Sequence, residues 1–506
     1  MSLRRVPLSL WLILAVYGLL ALATSLIVPL AESPDEWDHF LYVRYLAENG
    51  RFPIMLPIAE QNATMEANQP PLYYLLGTAV VGWVEMGEPA EMALNACFSF
   101  APQDTGRQHF YWHEADEAFP YQGNALAFHV VRALSVLLGA GTVALAYFLG
   151  GQVAGGAKKT GLLAAAVLAF NPQFIFITAS VNNDVLTAFL GAAILAQTVR
   201  VAAAATWRRV VLLALLIGLG LLTKFALLAL WPLAFVALLL SLLPQLRLRE
   251  IWPPLVGKGL VLAGLPLLVA GWWYARAARL YGDPLAWDVH LQAKGAQVLR
   301  TSPLTLADVA EFISLHFRSY WGLFGWLNVQ LPGWLYGVYA LLLGLAVVGL
   351  LLLVKEWWAA GRGLPFWRRL LALVMERVAF VLVGLAVTAV YVSLFRYILT
   401  INWSGYQGRL AFAAAAATAA LVALGWQRLW RSFKPLVDWL PVALGLLAAG
   451  VLFGTLPTAY PRPAIYQTPA NDAVCARFAN GLLLEGFVGA AEVLPGEETA
   501  VTLYGY

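Results

Sequence analysis

Charged residues are scarce in this 506-residue chain: Asp, Glu, Lys and Arg make up 12% of it, about half of the roughly 25% typical of soluble domains. That deficit excludes an ordinary water-soluble domain. Cysteine is scarcer still. Two residues, Cys97 and Cys475, exclude a disulfide framework and leave room for one bridge at most. No glycine-rich phosphate loop, dinucleotide fingerprint or Ser-His-Asp arrangement is present. No internal repeat is apparent, which argues against the paired-repeat plan of many transporters. A net charge of +4 is uninformative by itself, whereas its distribution along the chain is not; no nucleic-acid partner is expected.

What the chain has instead is apolar length. Hydrophobic residues make up 61%, in runs of about the 20 residues needed to cross a bilayer. Eleven crossings are expected, near 8–30, 125–150, 160–180, 184–204, 206–222, 225–243, 255–275, 333–355, 377–400, 409–428 and 438–457. The distribution of Lys and Arg orients them. Eighteen of the 32 basic residues fall in short loops on one side, among them Arg4, Arg5, Lys158, Lys159, Arg208, Arg209, Arg368 and Arg369. That side is cytoplasmic by the positive-inside rule, and the N-terminus starts there without a cleaved signal peptide. Twenty-four of the 28 acids lie outside or at the outer helix ends. The expected fold is an all-α polytopic membrane protein of about eleven transmembrane helices.

The same charge pattern decides an ambiguous segment. If residues 70–86 crossed, Lys158 and Lys159 would be external. The segment is therefore expected to be interfacial or re-entrant, inside one external loop spanning 31–124. A second external loop, 276–332, carries an amphipathic helix over Leu304 to Phe317, with Ser302-Pro303 as its start. Residues 1–457 form the membrane domain. The remaining 458–506 form an external tail, with two strands around the Pro495-Gly496 turn. The alanine-rich run 413–420 suits close helix packing.

The densest chemistry is Glu32-Ser33-Pro34-Asp35-Glu36-Trp37-Asp38-His39, at the outer end of the first span. On a helix starting near Pro34, Asp35, Asp38 and His39 share a face. Clustered carboxylates raise one another's pKa and can supply a proton acceptor. An acidic helix start stabilised by the helix dipole is the structural alternative. Asp35, Asp38 and His39 are also candidate ligands for a divalent cation. His109 and His113 are another weak metal pair, four apart, with Glu114 and Asp116 following. Tyr73 and Tyr74 suit an interface. Asn171-Pro172-Gln173 and Asn182-Asn183-Asp184 end the third span and start the fourth, and Asp184 is either a helix cap or functional. Basic residues at outer helix ends run against the positive-inside rule: Arg132, Lys224, Arg276, Arg318, Arg396 and Arg409. An anionic ligand such as a lipid phosphate accounts for them, with Arg409 and then Arg318 the leading candidates. The alternative for each is a salt bridge to an outer acid.

These motifs together resemble the GT-C glycosyltransferases, specifically the protein O-mannosyltransferases, the lipid A aminoarabinose transferases and their uncharacterised bacterial relatives. Asp35-Glu36 is similar to that family's Asp-Glu pair, and Pro70-Pro71-Leu72-Tyr73-Tyr74 to its second loop helix. Arg132 to Ser135, Leu222-Thr223-Lys224, Ser319-Tyr320-Trp321-Gly322 and Gln407-Gly408-Arg409 follow in the family's order, over most of residues 1–425. The resemblance implies an inverting transfer of sugar from a polyprenyl-phosphate donor to an acceptor hydroxyl, at the outer face of a bacterial cytoplasmic membrane. Asp35 would be the general base. Glu36 would orient it or act as a second acid, with Asp38 and His39 as further acid or base groups. Arg409, Arg318 and Lys224 would stabilise the leaving phosphate, and Tyr73, Tyr74, Asn183 and Asp184 would line the substrate site. No cofactor is implied, and a divalent cation stays open. The acceptor is a protein, a lipid or a polysaccharide. Gln69 departs from the basic residue that often precedes Pro-Pro-Leu in the aminoarabinose group, which leaves the sugar open. The competing readings are a lipid or polysaccharide flippase and a non-catalytic lipid-binding protein.

Overall fold

In hydrocarbon a backbone has no water to bond, so apolar runs close their own hydrogen bonds as helices. The computed structural model describes residues 7–87, 92–95, 98, 109–113, 115–243, 248–431 and 434–460, and strands at 472–477, 483–488 and 502–505. Its helices are, in order, α1 (Leu8–Ile27), α2 (Glu36–Asn49), α3 (Leu72–Val81), α4 (Gly123–Val153), α5 (Lys158–Ala169), α6 (Pro172–Thr178), α7 (Asn183–Ala203), α8 (Trp207–Leu221) and α9 (Trp231–Leu242). Then come α10 (Leu248–Tyr281), α11 (Trp287–Lys294), α12 (Leu306–Trp321), α13 (Gly333–Ala360), α14 (Phe366–Glu376), α15 (Val378–Ile398), α16 (Ala415–Leu429) and α17 (Lys434–Ala459).

Among the described residues, nine segments are long and apolar enough to cross a membrane: 8–27, 123–153, 183–203, 225–242, 251–281, 333–360, 378–398, 408–429 and 438–459. Two of them open with 3-10 turns, Phe225–Leu230 before α9 and Gly408–Ala414 before α16. The chain is an all-α, multi-pass membrane protein. Two of the expected crossings take other forms. Residues 160–180 are the bent pair α5 and α6, which meet at 65°. Asn171 does not end this segment; it sits at the bend and caps α6, accepting from the N–H groups of Gln173 and Phe174. Pro172 follows where a helix needs no N–H. The crossing expected at 206–222 is α8, with 15 residues, about 22 Å at 1.5 Å per residue and short of the ~30 Å hydrocarbon core. With 10 residues, α3 is shorter still and does not span.

Two segments form the centre. The crossing portions of 183–203 and 408–429 are 83% and 78% buried, against 17% for α13 and for residues 251–281. Small residues let the central backbones touch. Gly191 of α7 lies against the Ala413 carbonyl, and Gly425 of α16 against α13 at Ala346, with no room for a Cβ at either glycine. Around this centre α4 packs on α5, α7 and α16, while α8 packs on α10.

The connections near 31–124 and 276–332 gather at one end. There α12 is the expected amphipathic helix, but its start is Thr305 and not Ser302-Pro303. Thr305 and Asp308 cap each other reciprocally, and Arg300 pairs with Asp308 at 3.1 Å. A two-residue hairpin follows, β1 (Leu323–Phe324) with β2 (Val329–Gln330). The tail holds three antiparallel strands, one more than expected: β3 (Asp472–Arg477), β4 (Leu483–Val488) and β5 (Thr502–Gly505), in that order. A pairing of Cys97 with Cys475 lies outside the described residues.

Candidate active site

The acidic cluster does not act as one helix face. Helix α2 begins at Glu36, and Asp35 precedes it in the left-handed conformation, φ 63°. Asp tolerates that conformation better than most residues. The twist sends neighbouring carboxylates in different directions. Asp35 makes no cap bond to its own helix; its Oδ2 meets Nη2 of Arg409. Arg409 also donates Nη1–H to the Pro34 carbonyl at 3.2 Å and Nε–H to Gln407 Oε1 at 2.7 Å. Glu36 points inward to Arg132, with both carboxylate oxygens at 2.8 Å, and Oε1 also accepts the Val181 N–H at 2.8 Å. Asp38 turns elsewhere, accepting the Met65 N–H at 2.8 Å. His39 Nδ1 meets the Tyr74 hydroxyl at 2.9 Å.

Beyond Asp35 the network continues through Arg409 to Asp184, at 3.5 Å, and from Asp184 to Lys224 at 2.6 Å. Lys224 also donates to Asn183 Oδ1 at 3.3 Å. The capping role weighed for Asp184 belongs to Asn182, whose side chain accepts the Val185 N–H. A cavity of about 330 Å³ lies against this network. Asp35, Asp184, Lys224 and Arg409 are in its wall, as are His39, Glu66, His290 and Lys294. Phe225, Leu394, Tyr397 and Ile401 give it an apolar side. The non-glycine residues with positive φ among those described are Ala31, Asp35, Ala286 and Leu327. Asp35 and Leu327 line the cavity, and Ala286 caps α11, which carries Lys294. Strain held in this way is a feature of functional sites.

Charge is tuned by the surroundings. Burial opposes ionisation of Asp35, but Arg409 and Lys294 outweigh it and hold the carboxyl well below its usual range. Burial pushes Glu66 up to about 8, since Lys294 offsets only part of that penalty and Asp35 and Asp38 add to it. Burial likewise pushes Asp38 up to about 6 and takes His39 and His290 down to about 3, so both imidazoles are neutral. Lys294 keeps its charge: burial disfavours it, and Asp35 and Glu66 more than compensate. The wall sets three basic side chains (Lys224, Lys294, Arg409) against three carboxyl groups (Asp35, Asp184, Glu66), of which burial pushes Glu66 toward its neutral form. It is an anion-seeking pocket with one carboxylate at its edge.

Several expected residues fall outside it. Tyr73 and Tyr74 are buried behind the wall: Tyr73 bonds Ser135 at 2.9 Å and Tyr74 stacks on Tyr42 with centroids 3.8 Å apart. Asn183 bridges Gln69 and Lys224 behind Asp184. Arg318 is not brought to the cavity; it stands on α12 beside Tyr336. Asp35, Asp38 and His39 do not converge as metal ligands, because each ligand atom is turned to a different partner. His109 and His113 are not on a helix, and Glu114 lies outside the described residues. Among the wall residues that carried no motif are the charged pair Glu66 and Lys294. Glu66 sits four residues before Pro70-Pro71, and Lys294 ends α11 before Gly295. An isolated acid beside a proline motif and a Lys-Gly helix end were the available signals.

Residues 124–272 match the family model described as dolichyl-phosphate-mannose-protein mannosyltransferase. That stretch carries Arg132, Asp184 and Lys224. The match supports the resemblance to GT-C membrane glycosyltransferases. No curated protein matches the chain. Among solved structures the chain is similar to the apo Archaeoglobus fulgidus oligosaccharyltransferase, at 15% identity and TM-score 0.44, covering 89% of this chain and 56% of that one. It is also similar to ArnT from Cupriavidus metallidurans bound to undecaprenyl phosphate, at 13% identity and TM-score 0.46, covering 89% and 73%. The chain thus spans little more than half the length of the oligosaccharyltransferase.

Proposed function

We propose that the protein is an inverting glycosyltransferase that moves a sugar from a polyprenyl-phosphate donor to an acceptor hydroxyl, at the outer face of a bacterial cytoplasmic membrane. The observation that carries the reading is the half-buried Asp35 carboxylate at the edge of a pocket walled by Arg409, Lys224 and Lys294. A sugar phosphodiester carries one negative charge, and its departing lipid phosphate carries about two near neutral pH. The wall's excess of one cation suits the first and strengthens its hold as the second develops. The apolar side formed by Phe225, Leu394 and Ile401 suits the start of a lipid chain.

In this reading Asp35 accepts the proton of the acceptor hydroxyl. The hydroxyl oxygen bonds to the anomeric carbon from one face, and the bond from that carbon to the phosphate oxygen breaks on the other. The electron pair leaves with the lipid phosphate, onto Arg409, Lys224 and Lys294. Arg409 links the two events. A donor phosphate offers it a further anion beside Asp35 and Asp184, loosens its hold on Asp35 and makes that carboxylate more basic once donor is bound. Glu36 is a positioning residue, since its carboxylate is taken up by Arg132 and Val181.

The test is transfer or donor cleavage by the purified protein in detergent, with a panel of polyprenyl-phosphate sugars. Asp35→Asn is expected to lower turnover by about 10²–10⁴-fold, the usual range for a general base, with the unfolding midpoint unchanged. Turnover retained in Asp35→Asn removes the base assignment. An intact protein that cleaves no lipid-linked sugar removes the transferase reading.

A further inference from the structure

A second polar cluster lies outside the cavity, where the turn after α1 meets the segment around 109–117. Glu32 is fully buried there. Its Oε1 accepts the N–H groups of Phe110 at 2.8 Å and Tyr111 at 3.1 Å, and Oε2 that of Phe110 at 3.0 Å. Two imidazoles face the same carboxylate: His113 Nε2 is 3.1 Å and His109 Nδ1 3.8 Å from Oε1. One ligand-type atom from each of the three residues lies within 4.8 Å of the others. Behind His113, Glu117 Oε2 meets its Nδ1 at 2.9 Å. A carboxylate on the far nitrogen is how metal-bound histidines are commonly oriented. It holds the ring so that Nε2 faces Glu32.

We propose that Glu32, His109 and His113 form a divalent transition-metal site, with Glu117 orienting His113. Two imidazole nitrogens and one carboxylate oxygen suit zinc, with a fourth position for water. The site is structural rather than catalytic, because none of its ligands lines the cavity. Its effect reaches the cavity by two short routes. Glu32 stands three residues before Asp35, on the turn that starts at Ala31 in the left-handed conformation. Phe110, next to His109, stacks on Trp326 with centroids 4.2 Å apart, and Trp326 lines the cavity wall. A metal at this point holds the Asp35-bearing turn and one wall of the pocket in register. The inference does not depend on the sugar-transfer reading.

The experiment is zinc titration of the chelator-stripped, full-length protein in detergent, with bound metal counted by elemental analysis and ligation read from cobalt(II) substitution. One zinc per chain is expected, a higher unfolding midpoint when loaded, and visible cobalt bands of a four-coordinate site. His113→Ala should lose the metal and the midpoint shift. Glu117→Gln should bind about 10–100-fold more weakly, and Asp35→Asn should bind normally. If His113→Ala does not fold, His109→Gln serves in its place and should also lose the metal. Absence of zinc from the wild type, or one zinc retained by the histidine variants, overturns the proposal.

Discussion

Replacing Glu36 by Gln separates the two adjacent acids by the work they do. Arg132 is buried and spends all five N–H groups internally. Nε and Nη2 reach the two Glu36 oxygens at 2.8 Å; Nη1 reaches the Ser25 and Val28 carbonyls at 2.7 and 2.8 Å; Nη2 also reaches the Pro29 carbonyl at 2.8 Å. The guanidinium thereby caps the carbonyl end of α1 and ties it to α2 and α4. Gln keeps the volume but removes the charge, and its amide sets donor against donor. Leaving one member of a buried pair uncompensated costs about 3–5 kcal/mol, roughly 10²- to 4 × 10³-fold in the folded-to-unfolded ratio at about 1.4 kcal/mol per tenfold. The assay is thermal unfolding in detergent followed by tryptophan fluorescence. Trp37, the next residue, stacks on Phe128 of α4 with centroids 6.4 Å apart and reports this contact. Glu36→Gln should lower the midpoint clearly, and Asp35→Asn should not. Removing both partners, with Arg132→Met added, should recover part of the loss, so the two changes couple. A wild-type midpoint in Glu36→Gln, together with lost turnover, would show that Glu36 acts in the chemistry and refute its positioning role.

The other perturbations act inside the pocket. Glu66 sits at about 8, so it gains charge as pH rises through that value, cancels the wall's excess cation and raises the KM for donor; Glu66→Gln should erase this alkaline limb, and a limb that persists assigns it elsewhere. Because folding raises this carboxyl above its ordinary 4.5, the same group lowers stability progressively as pH climbs from there to about 8, and Glu66→Gln should flatten that slope of the unfolding midpoint. Arg409→Lys keeps the charge but gives up the forked contacts to Pro34, Asp35 and Gln407. At about 1.5–3 kcal/mol for a charged hydrogen bond donor affinity should fall about 10–100-fold, and unchanged binding of polyprenyl phosphate would remove Arg409 from the phosphate site. Gly408→Ala should cost turnover more than stability: its Cβ would run into the backbone of Tyr320 and His316 on α12 and shift Arg409, and full activity in that variant would show the contact to be slack.

Hydropathy located the membrane segments because a bilayer imposes length and composition on them. It could not see the 65° bend at Asn171, where a proline and a capping side chain redirect the backbone without a change of composition. Asp35 was legible because charge is dense at an apolar boundary, yet its direction was not, since one left-handed residue cancels the helical register on which the shared face rested. Two motifs noted separately, Ser319-Tyr320-Trp321-Gly322 and Gln407-Gly408-Arg409, turn out to be partners. Gly408 donates its N–H to Ser319 Oγ at 2.8 Å and lies against the Tyr320 backbone, so the glycine is what lets Arg409 start beside α12. Glu66 and Lys294 stayed hidden because the loops that carry them meet only in space.

Two acid–arginine pairs one residue apart make the case for where chemistry can occur. In Glu36–Arg132 the side chains are 0% and 1% exposed, and every donor of the arginine has a fixed partner, so no ligand can enter without leaving a buried group unsatisfied. In Asp35–Arg409 they are 29% and 6% exposed, the carboxylate fronts the cavity, and the arginine divides itself among Asp35, Asp184, Gln407 and a carbonyl. In the proposed reading a phosphate entering this second pair takes the place of the carboxylate on Arg409, and the carboxylate remains in the cavity wall. Exchange of partners, which the first pair forbids and the second permits, is what an acid must undergo to take a proton during turnover. The left-handed turn at Asp35 assigns the two neighbouring carboxylates to these two environments.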